Sequence, residues 1–257
     1  MTLHVVHDGP RSAPPLLLLH GSGASAASWD PMIPALATER YVIRMDLPGH
    51  GASPPAPSYR VADQAAAVAA ELDRRGLTAT AVAGHSSGGY IATALAEQRP
   101  GLVRSLALVS TGPSAAAFRR QPLVLRALLA PPFGPLLWAV RTDAMTRRGI
   151  GATLARAVPI PDGFVAGSRQ ITYRAMSTVL RRNSDYIEER TVPHRLAGLG
   201  IPVLAVFGAA DPRWDPGSVH EYEVVPGARI AVLDGVGHVP MLEAPEPLAG
   251  LLLGHAT

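Results

Sequence analysis

Short apolar runs, the early ones each closing on a loop rich in Gly, constrain this chain more than any other feature. Leu16 to Leu19 ends in His20-Gly21-Ser22-Gly23, and Tyr41 to Met45 ends in Asp46-Leu47-Pro48-Gly49-His50-Gly51. Thr80 to Ala83 ends in Gly84-His85-Ser86-Ser87-Gly88-Gly89, and Arg104 to Val109 ends in Ser110-Thr111-Gly112-Pro113. Pro202 to Phe207 and Arg229 to Leu233 follow much later. The runs are short and do not alternate, so both faces of each strand are expected to be buried, as in a parallel sheet covered by helices. Asp30 to Thr38, Asp63 to Arg75 and Gly88 to Arg99 read as the helices between them, with Asp63 as an N-cap and Gly76 as a C-cap. Alternating strand and helix predicts an α/β chain with an open, doubly wound sheet.

The pattern fails between Pro113 and Ala197, where helical segments lie between Pro and Gly breaks and an apolar stripe runs through Leu123, Val124, Ala127 and Leu128. We read 113–197 as a helical insertion (a lid or cap) in a sheet domain built from 1–112 and 198–257. Charge follows this division. The insertion holds thirteen Arg against five acids, whereas the remainder holds ten Arg against fifteen. Such a bias gives either a solvated helical surface or a lid that attracts an anionic substrate.

Composition narrows the functions. Of the 257 residues 47% are hydrophobic and 17% charged, which suits a folded globular chain. The net charge is only +3 and every basic residue is Arg, a bias that a GC-rich coding sequence explains. Aromatics are few and not interleaved with Arg, so nucleic acid is not an expected partner. With no Cys, disulfides, thiolate catalysis and Cys-ligated zinc are excluded. Met1-Thr2-Leu3-His4 does not begin a secretory signal, and Pro122 to Val140 is broken by Arg126, Pro131, Pro132 and Pro135, so no membrane span is expected. The default is a cytoplasmic protein acting on a small molecule as a monomer or homodimer.

Gly84-His85-Ser86-Ser87-Gly88 fits G-x-S-x-G between an apolar strand and a helix. There a sharp turn strains the Ser, flanking Gly residues let neighbouring backbone pass close, and the helix N-terminus favours developing negative charge. Ser86 is the candidate nucleophile. A serine hydroxyl needs a base to take its proton. Of nine His, His238 follows the last strand within Gly235-Val236-Gly237-His238-Val239-Pro240 and is the candidate. His20 and His50 read as scaffold of their loops, and His85 should point away from its neighbour. The base needs an acid to fix its tautomer. Asp211, after Phe207-Gly208-Ala209-Ala210, is favoured over its rival Asp215. For the oxyanion hole, the amides of Ser87 and Ser22 are the candidates.

Taken in order, His20-Gly21-Ser22-Gly23, Asp46 to Ser53, Gly84 to Gly89, Phe207 to Asp211 and Gly237 to Glu243 resemble the α/β-hydrolase superfamily, in its branch with a helical cap. The matching pieces cover about residues 3–112 and 198–255. The resemblance implies a mostly parallel sheet of eight strands, a Ser–His–Asp triad in the order Ser86, Asp211, His238, no cofactor and no metal, and a lid that sets substrate choice. The N-terminus is short, so the usual first antiparallel strand is expected to be missing or reduced, leaving seven.

The leading function is hydrolysis of a carboxylic ester, lactone or thioester. Phe118, Phe133, Trp138, Phe164, Tyr173 and Met176 in the lid suggest a medium-sized hydrophobic or aromatic substrate, unless they only bind the lid to the core. One alternative turns the same residues on a carbon–carbon bond of a diketo acid, with lid Arg residues holding carboxylates. Another is a non-hydrolytic ligand receptor or cyclase. Ser at 86 disfavours an aspartate nucleophile.

Overall fold

The computed structural model describes residues 1–120, 123, 127, 128 and 130–255. Pro122, Val124 and Arg126, used above in reading the apolar stripe and the broken run, lie outside the described residues.

Seven strands form one sheet: β1 (Val5–Asp8), β2 (Pro15–Leu19), β3 (Tyr41–Met45), β4 (Thr80–His85), β5 (Val103–Val109), β6 (Val203–Gly208) and β7 (Arg229–Leu233), in the spatial order β1-β3-β2-β4-β5-β6-β7. Only β1 is antiparallel, pairing with β3 from Val5↔Met45 to Asp8↔Val42. Among the described residues the sheet has seven strands, the smaller of the two numbers expected, with β1 as an antiparallel strand at its edge. Strand order reverses at β2, since β3 lies on one side of it and β4 on the other. Crevices that hold ligands in open α/β sheets form outside the carboxyl ends of strands at such a reversal.

Both faces of the inner strands are buried, which is why their runs do not alternate; the edge strand β7 differs, with Arg229 and Val232 exposed. Leu17, Leu19, Ile43, Val82, Leu106, Leu108 and Phe207 face one layer, with Val68, Leu72, Ile91 and Leu95 from α2 (Val61–Arg74) and α3 (Ser87–Gln98). Leu16, Leu18, Val42, Ala83, Val109 and Val206 face the other, against Trp29, Met32, Leu36 of α1 (Ile33–Leu36), and Leu248 and Leu252 near the C-terminus. Fully burying each such Leu contributes about 1.5–3 kcal/mol.

Helix α2 begins at Val61, with Asp63 in its first turn rather than at the cap, where a carboxylate still favours the helix dipole. Its end is as the sequence suggests. Gly76 takes φ +68, and the amides of Gly76 and Leu77 return to Asp73 and Leu72 carbonyls at 2.9 and 3.1 Å.

Between β5 and β6 the elements are helical: α4 (Phe133–Ala139), α5 (Asp143–Gly151), α6 (Asp162–Gln170), α7 (Tyr173–Glu189) and α8 (Val192–Leu196). Helix α7 buries Ala175, Val179, Asn183, Tyr186 and Ile187, one stripe at helical spacing. The stripe lands on the sheet domain, where the Tyr186 hydroxyl donates to Glu97 at 3.0 Å and the Arg195 guanidinium lies 3.9 Å from the Tyr186 ring centre. After β7 come α9 (Pro240–Glu243) and α10 (Pro245–Leu253). No described helix is long and apolar enough to cross a membrane.

Candidate active site

The loops leaving β2, β4, β6 and β7 meet at one edge of the sheet because parallel pairing brings the strands' carboxyl ends level. Leu19 pairs with Gly84, Gly84 with Leu108, Val109 with Val206, and Gly208 with Leu233. Ser86 stands at the end of β4, directly before α3, with φ 51° and ψ −121°. Its amide donates to the Val109 carbonyl at 2.8 Å, and its own carbonyl accepts from the Gly89 amide and the Thr111 hydroxyl, both at 3.0 Å. The flanking glycines permit this bend. A Cβ at Gly84 would sit 2.5 Å from the Gly89 nitrogen, and one at Gly88 would sit 2.5 Å from the Leu19 carbonyl oxygen. Strand, turn and helix could not pass so closely with any side chain at either position.

His238 reaches this bend from the loop after β7. Its Nε2 lies 3.1 Å from Ser86 Oγ, and its Nδ1 lies 2.8 Å from Asp211 Oδ2. Asp211 is fully buried after β6, and its Oδ1 accepts the amides of Arg213 and Trp214 at 2.7 and 3.2 Å. Burial alone would raise the carboxyl pKa. The hydrogen bond and charge of His238, with the two amides, outweigh it and hold Asp211 below the ordinary carboxylate value. An ionised carboxylate can only accept, so Nδ1 carries the ring proton and Nε2 presents its lone pair to the Ser86 hydroxyl. The structure therefore brings Ser86, His238 and Asp211 into one hydrogen-bonded row. Asp215 is elsewhere: it is exposed, caps the turn Pro216–Val224 by accepting the Gly217 amide at 3.2 Å, and lies 3.7 Å from Arg119.

Ser22 and Ser87 are also adjacent, with hydroxyl oxygens 2.8 Å apart. The Ser22 loop runs tight against the bend, since a Cβ on Gly21 would stand 3.1 Å from the Ser86 Cβ. Among the described residues neither the Ser22 nor the Ser87 amide donates to a protein group. Ser87 opens α3, where first-turn amides have no intrahelical acceptor.

His20 and His50 are loop scaffold, as the sequence suggests. The His20 ring spans its own loop and the next, with Nδ1 2.8 Å from the Gly21 carbonyl and Nε2 accepting the Leu47 amide at 2.9 Å. His50 Nδ1 lies 3.0 Å from the Pro48 carbonyl. His85 does more than point away: its Nε2 donates to the His238 carbonyl at 2.8 Å. Burial, then the nearby His238, push its pKa down to about 3, so the ring stays neutral.

Two further residues near the row were not singled out in the sequence. Glu243 accepts the Gly237 amide at 2.9 Å and the Ala155 amide at 2.7 Å, tying the His238 loop to the chain after α5. Asn183 of α7 donates from Nδ2 to Ser22 Oγ at 3.0 Å. Its signal was legible as the one amide on an otherwise apolar stripe. A cavity of about 500 Å³ lined by His4, Arg44, Asp46 and Gly167 contains none of the residues of the hydrogen-bonded row. Among the described residues no cluster of three or more His, Asp or Glu could hold a metal ion.

Fold and site together define an α/β hydrolase. The sequence matches the Alpha/beta hydrolase family over residues 16–251, and the chain belongs to that family as an enzyme of its kind. It is similar to a pimeloyl-[acyl-carrier protein] methyl ester esterase of Neisseria meningitidis serogroup C, 31% identical over 246 residues that span 94% of this chain and 93% of the relative. It is also similar to Lipase 3 of Moraxella sp., 30% identical over 91% of this chain and 75% of the relative. Among solved structures, Cfl2 from Burkholderia cenocepacia superposes with a TM-score of 0.84 at 25% identity, covering 99% of this chain and 92% of that one.

Proposed function

We propose that the protein is a serine esterase that cleaves a carboxylic ester, lactone or thioester of a medium-sized hydrophobic or aromatic small molecule through an acyl-enzyme. The observation that carries this reading is the row Ser86 Oγ, His238 Nε2, His238 Nδ1 and Asp211 Oδ2, with contacts of 3.1 and 2.8 Å. Similarity to an esterase and a lipase supports the ester bond as the target.

Ser86 Oγ bonds to the acyl carbon while His238 Nε2 takes its proton, and the carbonyl electron pair moves onto oxygen. The amides of Ser22 and Ser87 stabilise that oxyanion. The electron pair returns, the alcohol leaves with the proton from His238, and the acyl group stays on Ser86. Water then repeats the sequence: it gives His238 a proton, attacks the acyl carbon and releases the acid, and Ser86 recovers its hydrogen. Buried Asp211 keeps the imidazole oriented and stabilises its protonated form. All three residues come from one chain, so the row needs no second subunit.

The helical segment 113–197 acts in this reading as the cap. Met176 supports an apolar pocket wall, since its Cε lies 3.2 Å from where a Gly23 Cβ would be, beside the oxyanion loop. Phe164 instead is buried in the second core layer and binds the lid to the core, whereas Trp138 packs on Tyr173 within the lid itself.

A panel of 4-nitrophenyl acyl esters, run beside a vinylogous diketo acid and a fluorophosphonate probe, tests the proposal. Ester turnover and labelling of Ser86, both lost in Ser86→Ala, are expected. Cleavage of the diketo acid without ester turnover, or folded protein that is never labelled, would overturn it.

A further inference from the structure

Asn183 breaks the apolar face of α7. Its neighbours on that face, Ala175, Val179, Tyr186 and Ile187, are buried as a hydrophobic stripe needs. Asn183 is itself only 7% exposed, and among the described residues its buried Oδ1 has no donor. Such an unsatisfied acceptor costs stability, and Leu, which has nearly the same branched shape, would carry no such cost. What Asn183 gains is one contact: Nδ2–H donates to Ser22 Oγ at 3.0 Å, and Ser22 Oγ lies 2.8 Å from Ser87 Oγ. A continuous hydrogen-bonded path thus runs from the helical insertion, through the loop after β2, to the first turn of α3. The two hydroxyls on that path belong to the residues whose amides face the developing oxyanion in the reading above, on which this inference rests.

We propose that Asn183 is a positioning residue, which holds the Ser22 hydroxyl against Ser87 and so fixes the spacing of the two oxyanion amides. Its energetic cost is borne by the fold and its benefit falls in the transition state. Oxyanion donors act through preorganisation, so a small loosening of one loop lowers kcat before it changes ground-state binding. The insertion then contributes directly to catalysis as well as enclosing the substrate.

The test uses Asn183→Leu and Asn183→Ala, assayed on the best 4-nitrophenyl ester, with melting temperature measured on each. If the apolar variants melt without cooperativity, Ser22→Ala, which cuts the same path at its middle, decides the matter through the same loss of kcat. All folded variants should lose kcat by about tenfold or more, the scale of one hydrogen bond, with KM changed by less than about threefold. Asn183→Leu should melt no lower than wild type. In a Ser22→Ala background the same substitutions should have almost no further effect on kcat, because the path is already cut. Variants that keep wild-type kcat, or whose losses persist fully in the Ser22→Ala background, would overturn the inference while an active wild type leaves the esterase reading standing. A wild type that neither turns over nor labels would overturn both.

Discussion

The Glu243 carboxylate accepts the Gly237 amide at 2.9 Å, and so holds the residue next to His238 from a buried position one helical segment away. Its other oxygen accepts Ala155 and Arg156 amides at 2.7 and 3.1 Å, and the His238 amide itself donates to the Thr153 carbonyl at 2.9 Å. The loop that carries the imidazole is therefore fastened to the helical insertion on both sides. Of the three amides on Glu243, only that of Gly237 belongs to a buried residue, so only it loses all hydration if the carboxylate is removed. Glu243→Ala should therefore destabilise by about 1–3 kcal/mol, the cost of one unsatisfied buried donor, rather than three times that. Activity should fall further than stability predicts, because His238 loses its fixed approach to Ser86. Urea unfolding combined with kcat on the folded fraction would check this, and equal kcat would refute it.

The two candidate acids separate cleanly under substitution. At position 211, Asn must turn its oxygen to the Arg213 and Trp214 amides and present its NH₂ group to His238 Nδ1. The ring proton then moves to Nε2, which can no longer accept the Ser86 hydroxyl. Asp211→Asn should lower kcat on the order of 10⁴-fold, as tautomer loss does in other triads. Asp215 only caps an exposed turn, so Asp215→Asn should leave kcat within about twofold, since an N-cap acts on local stability rather than on chemistry. Steady-state kinetics on the two variants decide between them.

How much of this was legible beforehand depends on the range over which each signal acts. Ser86 is recognisable because its sequence signal is local: Gly84 and Gly88 flank it, the first needed by a backbone contact within the turn and the second by the close pass of the Leu19 backbone. The limits of β2 to β7 were readable within a residue or two, because burial on both faces leaves a mostly apolar run, whereas half-buried β1 carries no such run and was not read. Asp211 and Asp215 both follow the same strand, and spacing alone could only favour one; the contact with His238 separates them. Ser22, Asn183 and Glu243 are joined to their partners across 65, 161 and 88 residues of chain, and no short pattern encodes such pairs. The stretch 113–197 was read as helical from what it lacks, strands and motifs, so its helix limits and its contacts with the loops were beyond reach.

Strain at position 86 gives a prediction about stability rather than rate. Ser86 adopts φ 51° with ψ −121°, a region that costs a residue with a Cβ about 1–3 kcal/mol. Alanine keeps that cost and glycine removes it, against about 0.5–1 kcal/mol of extra chain entropy lost on folding. Both Ser86→Ala and Ser86→Gly should be inactive, but the glycine variant should be the more stable by about 1 kcal/mol. Paired thermal melts would show this. A glycine variant that melts below the alanine one would mean the bend is not strained.

The buried imidazoles set the acid limit of the fold. Burial, followed by the nearby His20, takes the His50 pKa down to about 3, and burial, followed by His238, does the same to His85. Burial also lowers His20, whose two ring nitrogens are occupied by the Gly21 carbonyl and the Leu47 amide. In the unfolded chain all three titrate at about 6.5. Between about 3 and 6.5 the unfolded chain binds protons at His50 and His85 that the native protein does not, and His20 acts in the same direction, so stability is complete above about pH 6.5 and falls as the pH drops. His50 and His85 each contribute a slope of up to about 1.4 kcal/mol per pH unit in that window. Asp211, whose pKa is held low, adds a loss of the same sign at lower pH, as its carboxylate protonates. Urea midpoints measured from pH 7.5 to 4.5 should therefore decline steeply, and His50→Gln should flatten the decline by about one proton. A midpoint independent of pH across that range would show that these rings are hydrated and titrate normally in the folded protein.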